Sequence, residues 1–78
     1  MATYTDEVLV HYATEAAKLE QEAINEDRAG NFESAISLYT ETERLLSLAL
    51  DSAPDGHVDI PAISSHVVGI QRRILHLR

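Results

Sequence analysis

One glycine divides this chain. In DRAGNFESAISLY, residues 27–39, Gly30 stands between two runs whose apolar residues recur every three or four positions. Before it, Leu9, Tyr12, Ala13, Ala16, Leu19, Ala23 and Ile24 share one helical face. After it, Phe32, Ala35, Tyr39, Thr42, Leu46, Ala49 and Leu50 share another. Glycine enters the left-handed backbone region that other residues avoid, so it ends the first helix. Asn31 is a suitable N-cap for the second. Helices over about 6–29 and 32–51 follow, with Thr3 or Thr5 as the first cap and Asp6 and Glu7 at the positive end of the dipole. A connection this short makes them an antiparallel hairpin. Small inward residues, Ala13, Ala16, Ala23 and Ala35, let the two axes come close.

A third apolar face, Ile63, Val67, Ile70, Ile74 and Leu77, follows the loop SAPDGHVD. Asp59 is placed to cap it and Pro61 is tolerated in its first turn, giving a helix over about 60–77. No strand-like alternation occurs. The expected fold is all-α: a three-helix antiparallel bundle forming one domain over 1–78, with helix 3 packed against both partners. The chain has no cysteine and no tryptophan. An aliphatic core must therefore hold it together without disulfide or thiolate–metal staples.

Charge narrows the function. The net charge is −7, with −9 over residues 1–56 and +2 over 57–78. Such a chain repels nucleic-acid phosphates and anionic membrane surfaces and attracts basic partners. No apolar run is long enough to span a bilayer, and the acidic start lacks the pattern of a signal peptide, so a cytosolic setting is expected. His11, His57, His66 and His76 lack metal-ligand spacing and read as surface or groove-rim residues. Ser34, Ser37, Ser64 and Ser65 have no paired base, so no catalytic residue, metal or cofactor is expected. Asp27 lies on the inward arc at the negative end of helix 1. It is expected to accept hydrogen bonds from the turn or the start of helix 2.

Ala16, Leu19, Ala23, Asp27, Gly30, Phe32, Ala35 and Tyr39, in that spacing, resemble the microtubule-interacting and trafficking (MIT) domain. The resemblance runs over residues 8–77. Tetratricopeptide (TPR) repeats share the hairpin pattern, but no second copy follows about 34 residues later, as an array requires. The resemblance implies a non-catalytic, monomeric recruitment module. It would bind C-terminal tail motifs of ESCRT-III-type proteins and bring a host enzyme (an AAA ATPase, protease, deubiquitinase or kinase) to endosomal or other membranes under remodelling. The alternatives are a TPR-like structural or oligomerisation module, or the N-terminal adaptor of a microtubule-severing ATPase. For the last, the acidic surface of tubulin would repel a chain of this charge.

The family's helical motifs lie between helices 2 and 3. The residues expected to line that groove are Leu38, Glu41, Leu45 and Leu48 on helix 2 and Ser64, Val68, Gln71 and Leu75 on helix 3. All stand off the core faces, and the apolar ones form two flanks suited to a helix in a groove. Glu41 is available there to a basic ligand residue. The family often has leucine where Gln71 stands and acids where Arg72 and Leu75 stand. In the groove between helices 1 and 3, Glu20 replaces a position that is often small and apolar. These differences point to an atypical ligand motif.

Overall fold

The computed structural model describes residues 4–78, with side chains from Glu7 onward. Three helices occupy it: α1 (Tyr4–Arg28), α2 (Phe32–Ser52) and α3 (Ile60–Leu77), and no strand occurs among the described residues. The expected Thr3 or Thr5 cap, with Asp6 beside it, lies outside the described side chains.

The turn at Gly30 closes the α1–α2 hairpin. Gly30 has φ +84°, in the left-handed region. Its N–H donates to the Asp27 carbonyl at 3.1 Å and the Asn31 N–H donates to the Glu26 carbonyl at 2.9 Å. This pair is the Schellman arrangement, which satisfies carbonyls a helix end otherwise leaves bare. Asn31 occupies the N-cap position of α2, but its side chain does not cap. Its ψ of 71° falls short of the extended range of a capping residue. The amide instead donates to the Glu26 carboxylate at 3.1 Å. Asp59, before α3, likewise makes no side-chain cap because its backbone is already helical (φ −84°, ψ −11°). The Asp59 N–H donates to His57 Nδ1 at 3.1 Å.

Small side chains set the distance between α1 and α2. Ala16 and Ala23 on α1, and Ala35, Thr42 and Ala49 on α2, are all at most 1% exposed. Thr42 is a polar group at this seam, and its hydroxyl is satisfied by donating to the Leu38 carbonyl at 2.8 Å. Leu9, Tyr39 and Leu46 complete the buried part of the hairpin, and Val67, Ile70 and Ile74 supply the buried face of α3. Phe32, expected on the apolar face of α2, is 48% exposed. It stands at the first residue of the helix, beyond the reach of the packed core.

Helix α3 does not pack against both partners in the way its periodicity suggested. It docks on α2, whereas among the described residues no Cα of α1 comes within 8 Å of one in α3. Long side chains alone bridge α1 and α3, and a cleft is left between them.

Two substitutions test this architecture. Gly30→Val should destabilise by more than ~1 kcal/mol, because a β-branched residue resists positive φ. A Cβ at Gly30 would meet nothing within 4 Å, so the cost would be conformational rather than steric. Leu46→Ala, at a site 6% exposed, should cost about 2–5 kcal/mol. Urea titration measures both, and an unchanged midpoint in either variant would contradict the packing described.

Candidate interaction grooves

Helix α2 carries two seams. Positions 35, 38, 42, 45, 49 and 52 recur at heptad-like spacing and turn toward α1; positions 36, 39, 43, 46 and 50 turn toward α3. Side-chain contacts mark the second seam. The Gln71 amide of α3 donates to the Glu43 carboxylate at 2.6 Å. Thr40 and Glu43 face Gln71, Ile74, Leu75 and Arg78 across an open groove of about 320 Å³.

The groove between α2 and α3 therefore has a different α2 wall from the one expected. Leu38, Glu41, Leu45 and Leu48 stand about 140–160° round the helix from Glu43 at 3.6 residues per turn. Leu38 and Leu45 pack, half-buried, against the core cluster. Their apolar excess serves the hairpin seam, and the groove wall is the more polar pair Thr40 and Glu43. Glu41 does not stand free for a ligand: it pairs with Arg44 one turn along. The hydrogen bond from Arg44 is the main reason its carboxyl is held below the usual range.

The α3 wall lies on the expected flank. Gln71 and Leu75 line the groove directly. On the helical wheel Val68 and Ser64 continue the same flank toward the start of α3. Val68 is 44% and Leu75 68% exposed, and they stand seven residues apart. Sequence reasoning missed Thr40, Glu43 and Arg78. The signal that could have found them was the heptad run Ala35–Thr42–Ala49 with Leu38 and Leu45, which assigns that flank to α1.

The cleft between α1 and α3, about 380 Å³, is lined by Glu20, Ile24, Tyr39, His66, Ile70 and Arg73, with Ala62, Ser65 and Gly69 along its α3 edge. Two polar bridges cross it. His66 Nε2 meets Glu20 Oε1 at 2.7 Å. Arg73 donates twice to Asp27, from Nε to Oδ2 at 2.7 Å and from its second nitrogen to Oδ1 at 2.6 Å. The Tyr39 hydroxyl donates to the same Oδ2 at 2.9 Å. Asp27 is thus an acceptor, as its position implied, but its partners come from the middle of α2 and from α3, not from the turn. One carboxylate joins all three helices.

The family model of the MIT (microtubule interacting and transport) domain matches residues 13–78. The chain belongs to the MIT domain family. The match covers most of α1 and all of α2 and α3, the elements that build both grooves. No curated protein and no solved structure matches the chain. As an MIT domain, the chain is a protein-interaction module, and the domain itself is non-catalytic.

The Arg73 hydrogen bond is the main influence holding the Asp27 carboxyl below the ordinary range; burial opposes it, and the Tyr39 hydroxyl reinforces it. A lowered folded-state pKa means a contribution that is present in full above the unfolded aspartate value of about 3.9. That contribution is lost as pH falls through the lowered folded value. Asp27→Asn should therefore lower the melting temperature near neutral pH. The gap between wild type and variant should narrow in strong acid, where Asp27 is itself protonated. Melting curves followed by circular dichroism from neutral to strongly acidic pH measure the gap, and a constant gap would show that the charge on Asp27 contributes nothing.

Proposed function

We propose that this MIT domain receives a short amphipathic helix, from the C-terminal tail of an ESCRT-III-type protein, in the groove between α2 and α3. It thereby recruits its host protein to endosomal or other remodelled membranes from the cytoplasm. The observation that carries this reading is the pair Val68 and Leu75. Both are large, exposed and one heptad apart on α3, and Leu75 lines the open groove. A partner helix presents its own apolar residues at that repeat, so the two rows can interdigitate along the groove.

The contact should be weak. Residues 64–78 span roughly 20 Å at 1.5 Å per residue, so the area buried falls below that of a standard interface. Affinity in the micromolar range or weaker is expected, with the apolar anchors supplying most of it. The cleft between α1 and α3 is a poorer host, because an entering segment must displace the Glu20–His66 and Asp27–Arg73 bridges.

A ¹⁵N titration with a panel of ESCRT-III tail peptides is the test. Shifts are expected at Thr40, Glu43, Val68, Gln71 and Leu75. Leu75→Asp should abolish binding without changing the circular dichroism spectrum, since the side chain is 68% exposed. Shifts confined to the α1–α3 cleft or to the Leu38–Leu45 flank would reject this groove.

A further inference from the structure

The exposed flank at the end of α3 is basic on a chain that is otherwise acidic: Arg78 lines the groove with Leu75, and Arg72 stands one turn before that leucine. Val68, Arg72, Leu75 and Arg78 succeed one another at spacings of four, three and three, and so form one continuous row on the helix surface. The arginines thus bracket the most exposed leucine of the described structure. Arg73, the neighbour of Arg72 on α3, is consumed by Asp27 on the far side. Arg72 and Arg78 carry no ion pair or side-chain hydrogen bond among the described residues. Their surroundings hold few acids: α3 has none, and the carboxylate on the facing wall is Glu43, which already accepts from Gln71.

From this we infer that the partner helix carries acidic side chains, not basic ones, beside the apolar residue that meets Leu75. The inference rests on the groove reading above and specifies the chemistry of its ligand. Leu75 supplies an apolar anchor and Arg72 and Arg78 lie within one turn on either side. A helical ligand with a glutamate one turn before and one turn after its anchor leucine places both carboxylates near guanidinium groups, whose planar forks suit them. A lysine at either place meets an arginine instead, and like-charge juxtaposition is the repulsive element that rejects the wrong partner. The whole-chain charge of −7 works against this preference at long range. At physiological salt the Debye length is about 8 Å, so the local rim outweighs distant acids.

Two synthetic amphipathic helices test it, identical except that the residues flanking the anchor leucines are glutamate in one and lysine in the other. Both are titrated into the ¹⁵N-labelled 78-residue chain, with light scattering recorded in parallel. The glutamate peptide should bind about tenfold more tightly, with shifts at Val68, Gln71 and Leu75. The double variant Arg72→Glu/Arg78→Glu should reverse the order while keeping the wild-type circular dichroism spectrum. Equal or tighter binding of the lysine peptide in the groove would overturn the charge assignment and leave the groove reading intact. Binding of neither peptide would overturn both. Self-association that the double variant abolishes would give the face to a second copy of the chain and overturn the inference.

Discussion

A single carboxylate ties the fold together. Asp27 sits at the end of α1, accepts from Tyr39 on α2 and is gripped twice by Arg73 on α3. Its side chain is only 9% exposed. An anion placed there is disfavoured by the helix dipole and by desolvation. Arg73 and Tyr39 offset both, and the price of that site is that removing either partner leaves a poorly solvated charge. The backbones of α1 and α3 do not approach each other, so this node and the Glu20–His66 bridge set the width of the cleft between them.

Around the node the helices divide the labour. The α1–α2 hairpin is held at short range by Ala16, Ala23, Ala35, Thr42 and Ala49, none of which could grow without forcing the axes apart. The attachment of α3 is different in kind. It presents three buried aliphatics, Val67, Ile70 and Ile74, to α2 and leaves the opposite half of its surface open. That asymmetry is what an interaction module needs. The hairpin is a rigid platform, and a helix fixed along one edge of it supplies a groove on each side.

Much of this was legible in the sequence. Gly30 between two periodic runs announced the turn, and its φ of +84° has the physical cause that the reading supplied. The inward alanines announced the close hairpin. The exposure of Val68 and Leu75 could be read because α3 has one core face and a large apolar residue off it must be exposed; of the residues named on that flank, Gln71 and Leu75 line the groove. The α2 wall could not be read in the same way. A helix packed on two sides has two seams, and Leu38 and Leu45 look superfluous only when a single face is assumed. The partners of Asp27 were hidden for a related reason: Tyr39 and Arg73 lie 12 and 46 residues away, and no local pattern connects them. The caps at Asn31 and Asp59 were misjudged because residue type alone does not specify ψ.

Helix α3 is a separately held element, fixed to the α1–α2 hairpin by the Asp27 node and an aliphatic strip. Native-state hydrogen exchange of an Arg73→Met variant tests this directly. The amides of α3 should lose protection while those at the α1–α2 seam, around Ala23, Ala35 and Thr42, retain most of theirs. An equal loss of protection across all three helices would contradict that arrangement.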